Sequence, residues 1–357
     1  MPEKRRLKTP HFPWLGVLIR LTLLVLIMWG AFMAGCGRAP VLLPPDKPPA
    51  SRSERIEIYR KTLKAYQDAG RLPIIDLELM LTPDTDIEKI VQVMDNAGVA
   101  LAAVTSHDTG LIRRALERHP ERFIPLSPAP RGTEWADPER AFLKTVRRTL
   151  REDRFGIGRI RMDLDPAESE GKGKKRAKSV KRQKAAFEAL LRLSSEQKAP
   201  IWLEMDPEDH GLGWLERQLR EHAGATVIWT RAGYFPFPEK LPGYGSGLLR
   251  AVTLRRPNLF MTLTVLPPAK KRIFLTLRKN LLFDPGGAFS PEWRALIEAR
   301  IAHFGTGGSL DAAKPGFYLK HMQRFRSQIM DALTPPARER LAWRNAWRLL
   351  TGSEWSK

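Results

Sequence analysis

The chain has 357 residues, of which 43% are hydrophobic and 28% are charged, and its formal net charge is +21. This apolar content argues against a disordered chain, and the length suits one domain of α/β-barrel size behind a leader segment. Cys36 is the single cysteine, so a disulfide within one protomer is excluded.

Residues 1–36 have the layout of a secretory signal peptide. Basic residues between Lys4 and Arg20 precede an almost unbroken apolar run, Leu21–Phe32, and Met33-Ala34-Gly35-Cys36 follows. Small residues before a lone cysteine resemble the lipobox of bacterial lipoproteins, whose cysteine is acylated. The alternative is an uncleaved anchor helix over residues 14–35, a stretch long enough to span a bilayer. Both interpretations predict a membrane-anchored protein of the cell envelope that faces the periplasm or the exterior.

Residues 37–52 are rich in proline and predict a semi-extended tether before a domain at 53–357. Within that domain, residues 168–184 form a dense basic insertion, which is interpreted as a solvated loop that leads into a helix. It lacks interleaved aromatic residues, so nucleic acid is not expected as a partner. The expected partners are the membrane, anionic lipid or envelope polymers, and an unknown small ligand.

Beyond the tether, short apolar runs alternate with amphipathic stretches, which favours βα units around a parallel sheet. The predicted strands lie at 73–79, 99–106, 123–127, 158–162, 200–204, 226–230, 258–265 and 301–306. The first predicted helix lies at 84–96, with Asp84 or Thr85 as its cap and Gly98 as its stop, and the second follows the second strand and ends at Arg118. The remaining predicted helices lie at 138–152, 184–195, 213–221, 247–255, 318–333 and 336–350. Eight such units are the count of a (β/α)8 TIM barrel, the predicted fold class.

Several blocks of sequence, in order, resemble the amidohydrolase superfamily over residues 73–350. The tract "IIDLELM" at 74–80 resembles the family's first strand, I-D-x-H-x-H. The tracts "PIWLEM" at 200–205 and "TVIWTRAG" at 226–233 resemble its fifth and sixth strands, and "IAHFGTGG" at 301–308 resembles its eighth. The similarity is to the amidohydrolase-related branch that includes decarboxylase-like members.

The resemblance implies a metal held by histidines of strands one, five and six and by an aspartate of strand eight. The matching positions carry Glu78, Met80, Glu204, Arg231 and Gly307. An arginine has no lone pair to give and a glycine has no side chain, so no metal and no other cofactor is predicted. The eighth-strand aspartate is also the family's general base, so metal-dependent catalysis is predicted to be lost.

Glu78, Glu204 and Arg231 are expected to meet at the C-terminal mouth of the barrel, where Arg231 would neutralise both carboxylates. Three interpretations remain open at this point. The three residues could form a salt-bridge network that fills a vacated site, or a ligand pocket whose arginine takes an anion. In the third interpretation, Glu78 or Glu204 is an acid or base that works without a metal.

Other polar candidates favour structural roles. Asp108 is predicted to cap a helix beside His107, and Asp209 and His210 are assigned to a polar loop. His303 is predicted to be a hydrogen-bonded core histidine rather than a ligand. Four tryptophans are predicted to be packing residues: Trp202, Trp229, Trp343 and Trp347.

The predicted function is therefore that of an exported, membrane-tethered binding or scaffold module without metal-dependent catalysis. The alternative is an atypical, metal-free hydrolase or lyase of the same superfamily.

Overall fold

The computed structural model describes residues 51–132, 134–136, 141–164, 173–205, 209–232, 244–264, 289–308, 310–311 and 314–356. The predicted signal segment, Cys36 and nearly all of the predicted tether lie outside these ranges. Among the described residues, none of the helices is both long enough and apolar enough to cross a membrane.

Helices and strands alternate along the chain. The strands are β1 Ile74–Leu81, β2 Val99–Ser106, β3 Phe123–Pro125, β4 Ile157–Met162, β5 Ile201–Met205, β6 Val227–Ala232, β7 Leu259–Leu263, β8 Phe304–Thr306 and β9 Leu310–Asp311. The helices are α1 Arg52–Asp68, α2 Ile87–Ala97, α3 Thr109–Arg118, α4 Ala141–Arg151, α5 Gly173–Gln197, α6 Asp209–Glu221, α7 Ser246–Arg255, α8 Pro291–Ala299, α9 Pro315–Arg324, α10 Pro335–Glu339 and α11 Asn345–Thr351.

The pairing of the strands gives two parallel sheets, with orders β3-β2-β1-β9 and β4-β5-β6-β7-β8. The α/β class is thus confirmed, and all eight main predicted strands are present. Every residue of β2 is buried, as expected for a parallel sheet that is covered on both faces.

Hydrogen bonds join the two sheets on both sides and between them. On one side, Phe155 N donates to Pro125 O and Ser127 N donates to Gly156 O, each over 2.9 Å. On the other side, Gly308 N, just beyond β8, donates to the Asp76 carboxylate over 2.6 Å. Between the sheets, Trp202 Nε1 on β5 donates to Leu77 O on β1 over 2.6 Å. The sheets therefore share one core.

The tryptophans predicted to pack in the core are buried. A Cβ atom at Gly156 would overlap the Trp202 ring, so the absence of a side chain there makes room for the indole. Trp343 and Trp347 each pack edge to face against Trp355, with ring centroids 4.9 and 5.0 Å apart. This prediction is confirmed.

Helix α1 was not predicted. Most of its polar residues are exposed, and the apolar stripe from which a helix is predicted in a sequence is narrow. Its buried residues are Tyr59, Thr62, Leu63 and Tyr66. Tyr59 donates to Phe123 O over 2.6 Å, which fixes α1 to the end of β3.

Helix α5 begins at Gly173, eleven residues before the predicted start at Lys184. The interpretation of the basic insertion as a loop is therefore wrong for residues 173–184. Lysine, arginine, alanine and glutamine favour helix, and this composition extends the helix backwards. Residues 165–172 are outside the described ranges.

Three further boundaries differ from the predictions. Asp86, rather than Asp84 or Thr85, caps α2, and the Thr85 hydroxyl instead accepts from Thr82 N. The predicted eighth strand starts with a 3₁₀ turn, Ile301–His303, so β8 is shorter. The two predicted C-terminal helices each contain a π-helical turn, Phe325–Ile329 and Arg340–Arg344, which interrupts the regular α-helix.

Candidate functional site

An irregularity in β1 positions two carboxylates in the shared core. The register between β1 and β2 shifts between Asp76 and Leu79, so an extra residue is accommodated there. Such bulges re-aim side chains, and they are frequent next to functional sites. Asp76 is fully buried and Glu78 is 5% exposed.

Asp76 ties three parts of the chain together. Its carboxylate accepts hydrogen bonds from Glu78 N over 2.9 Å, from Gly308 N over 2.6 Å and from the Tyr318 hydroxyl on α9 over 2.7 Å. Burial raises the pKa of Asp76 to about 6, against the opposing effect of these three donors. Asp76 lies in the predicted first strand, but its partners at this junction were not predicted.

Glu78 lies against the position that the resemblance matches to the eighth-strand metal ligand. Its Oε1 accepts a hydrogen bond from the Thr262 hydroxyl on β7. A Cβ atom at Gly307 would lie 2.9 Å from that same oxygen and 2.8 Å from the Thr262 Cβ. The glutamate and the neighbouring threonine therefore occupy the space that a side chain at 307 would need.

The second oxygen of Glu78 is buried and has no hydrogen-bond partner among the described residues. The His321 ring on α9, also buried, approaches the same region, with Nε2 3.3 Å from Gly307 O. His321 was not predicted as a site residue, because it lies on a helix well beyond the eighth strand. Met80 is half-buried and lies in register with Thr105 of β2 and Asp311 of β9.

Glu204 has a cationic partner that the sequence did not predict. The Arg159 guanidinium on β4 donates to Glu204 Oε2 through Nε over 2.7 Å, and its Nη2 lies 2.6 Å from the same oxygen. The two side chains are 14% and 23% exposed, so the pair lies at the edge of the core. The Arg231 backbone is part of β6, but its side chain lies outside the described residues. The expected Glu78–Arg231–Glu204 network therefore stays a prediction.

The other polar candidates have local roles where they are described. Asp108 caps α3 by accepting from Gly110 N over 2.8 Å, as predicted, and His107 Nδ1 lies 2.9 Å from Ala129 O. His303 is buried, with Nδ1 2.7 Å from Leu259 O, and burial lowers its pKa. It is the hydrogen-bonded core histidine that was predicted. Asp209 and His210 form the start of α6, so their assignment to a loop is wrong, and their side chains lie outside the described residues.

The residues at the metal-matching positions do not fit a closed divalent-metal site. One oxygen of Glu78 is bonded to Thr262, one oxygen of Glu204 is paired with Arg159, and Gly307 supplies no donor atom. Within the described ranges, no three His, Cys, Asp or Glu side chains are grouped so that they could hold a metal ion. A structural zinc site, by comparison, uses four such donors.

A search of solved structures finds a likeness to an amidohydrolase from Burkholderia multivorans, crystallised with bound HEPES. The identity is 10%, the alignment covers 78% of this chain and 99% of that chain, and the TM-score is 0.46. A likeness at this score carries no argument about the site. No protein-family model matches the chain, and no curated protein matches it.

Proposed function

We propose that this chain is an amidohydrolase-like (β/α)8 barrel in which the metal site has been replaced by protein packing, and that it works as a binding or scaffold module. The observation that carries the proposal is the position of Glu78. Its carboxylate and Thr262 fill the space of a side chain at 307, so the first-strand and eighth-strand positions close on each other.

Closure of the two sheets into one barrel is part of this proposal. The hydrogen bonds between residues 125–127 and 155–156, and the bond from Gly308 to Asp76, support it because they lie at the two seams. In such a barrel, Glu78 would lie near the C-terminal ends of the strands, where barrel enzymes bind their substrates.

The low exposure of the two carboxylates favours binding or scaffolding over metal-free acid–base chemistry. Asp76 is fully buried and all its hydrogen bonds come from within the protein. Glu78 exposes only 5% of its surface. A general acid or base must come within hydrogen-bond reach of the substrate, and these groups are enclosed by the protein.

The metal content of the purified full-length chain tests the central claim. We expect well below one equivalent of zinc, manganese or iron, and a melting temperature that a chelator leaves unchanged, because no metal-binding free energy is linked to folding. About one equivalent of metal that survives dialysis and disappears in Glu78→Ala would contradict the proposal.

The proposal also places the domain in the cell envelope, tethered through residues 1–52. This part rests on the sequence alone, namely the basic segment, the apolar run and Gly35-Cys36. We expect the wild-type chain to incorporate a labelled fatty acid and Cys36→Ser to lose the label and to be processed poorly. Processing of the wild type that is unlabelled and insensitive to globomycin would favour the uncleaved anchor instead.

A further inference from the structure

A second polar region lies outside the candidate site. Residues of α1, α3 and α4, together with the end of β3 and the segment before β4, enclose a cavity of about 360 Å³. It shares no residue with the Asp76–Glu78 region. It is lined by Arg55, Thr109, Gly110, Arg113, Leu116, Glu117, Pro125, Arg148, Thr149, Glu152 and Arg154.

The charges around this cavity do not balance. Glu117 lies 3.8 Å from the Arg113 guanidinium, and Glu152 lies 3.7 Å from the Arg148 guanidinium. These two pairs use both carboxylates of the lining. Arg55 and Arg154 are left, and in the described part of the chain neither has a carboxylate within ion-pair distance. Two positive charges therefore face the cavity without an ion-pair partner, and Glu152 only partly opposes the lowering of the Arg154 pKa.

Nitrogen atoms of these two arginines also lack hydrogen-bond partners. Arg55 Nη1, Arg154 Nε and Arg154 Nη1 are buried, and none of them has a hydrogen-bond acceptor among the described residues. A buried charged donor without an acceptor is strongly destabilising. Arginine cannot relieve this by losing its proton at physiological pH. Burial, and then the nearby charge of Arg55, lower the pKa of Arg154, which places the two cations close enough to repel each other.

We propose that this cavity binds a phosphate group as a dianion, held between Arg55 and Arg154. Guanidinium groups match phosphate oxygens through paired N–H donors, and a doubly negative group would neutralise both unpaired cations. The cavity volume is at the small end of ligand sites, which suits free phosphate or a small phosphate ester rather than a polymer.

Calorimetric titration and thermal unfolding of the full-length chain test this proposal, in detergent and at constant ionic strength. The probes are inorganic phosphate, glycerol 3-phosphate and sodium chloride. We expect both phosphates to bind and to raise the melting temperature, while chloride does neither. Tighter binding of glycerol 3-phosphate would identify an ester as the ligand, and tighter binding of inorganic phosphate would identify the free anion.

The variants Arg55→Gln and Arg154→Gln should each weaken phosphate binding about tenfold or more, equivalent to about 1.4 kcal/mol. Arg217→Gln on α6 is the matched control, since Arg217 is exposed and does not line the cavity, and it should bind within about twofold of wild type. In phosphate-free buffer, Arg154→Gln should unfold at the same or a higher temperature than wild type, because a repulsion is removed.

Two results would overturn the proposal. One is a melting-temperature increase that phosphate and chloride produce equally. The other is a phosphate affinity that neither Arg55→Gln nor Arg154→Gln changes. If Arg154→Gln fails to fold, Arg55→Gln alone decides between a phosphate site and a purely structural cluster.

Discussion

Asp76 and Arg154 are both largely buried charged groups, but their surroundings differ. Asp76 accepts hydrogen bonds from two backbone N–H groups and one phenol, which belong to three separate parts of the chain. Arg154, in contrast, has two buried nitrogens without an acceptor in the described ranges, and burial and then the charge of Arg55 lower its pKa.

This difference separates a buried acid whose hydrogen-bond partners all come from the fold from a cation that is available to a ligand. The protein supplies three donors to Asp76, which offset part of its desolvation, although burial still raises its pKa to about 6. Arg154 has no such donor–acceptor set: two of its nitrogens lack an acceptor in the described structure, and Glu152 only partly opposes the lowering of its pKa by burial and by Arg55. Asp76 therefore belongs to the architecture, whereas Arg55 and Arg154 belong to a binding site in our proposal.

The largest loss of stability is expected at Gly307, where the core has no space for a side chain. Gly307→Asp would place a side chain in the space of the Glu78 carboxylate and would add a like charge there, so we expect a loss of about 4 kcal/mol in the free energy of unfolding. Urea unfolding measures it. Gly213→Ala in α6 is the control, because a Cβ there meets nothing within 4 Å, and it should stabilise the chain by about 0.5–1 kcal/mol.

The same substitution in a Glu78→Ala background should recover about half of that loss, because the Glu78 carboxylate and its like charge are then gone and only the contact with Thr262 Cβ remains. An equal loss in both backgrounds would show that positions 78 and 307 do not compete for space, and the central contact of the candidate site would be refuted.

The next effect concerns the pH dependence of Asp76. Its pKa is raised to about 6 in the folded chain from an ordinary value of 3.8, so the folded state holds the proton more tightly. The associated stability is present below about pH 4 and is lost as the pH rises through about 6, and it amounts to about 3 kcal/mol. Asp76→Asn should therefore be most destabilising near pH 4 and least destabilising near pH 7.

Urea unfolding of wild type and Asp76→Asn between about pH 4 and 7 checks this, and the exposed Asp68→Asn serves as the control. A gap between wild type and Asp76→Asn that stays constant would mean that the donors balance burial at Asp76, and a gap that widens as the pH rises would mean that they outweigh it.

The smallest effect is expected at the edge of the core. Arg159 and Glu204 are partly exposed, so a double-mutant cycle of Arg159→Met and Glu204→Gln should give a coupling energy of about 1 kcal/mol. A parallel cycle with Arg231→Met tests the predicted network. A larger coupling of Glu204 to Arg231 than to Arg159 would make Arg231 the main partner of this carboxylate.

The sequence was sufficient for the strands because each is a short apolar run between turn residues, as at Val99–Ser106, where both predicted ends are correct. It also brought Glu78 and Gly307 to one place through the resemblance. The hydrogen-bond and ion-pair partners of the core acids could not be predicted from the sequence. Tyr318 reaches Asp76 across 242 positions of sequence, and Arg159 reaches Glu204 across 45, so both pairings depend on how the sheets are arranged.

The tight contact at Gly307 also limits the order in which substitutions could be introduced at positions 78 and 307. An aspartate cannot enter position 307 while Glu78 is present without displacing that side chain, whereas Glu78 can be shortened first and leave only an empty space. A laboratory route toward a metal-binding variant must therefore begin at the first strand. A substitution made first at the eighth strand would instead meet both the Glu78 carboxylate and Thr262.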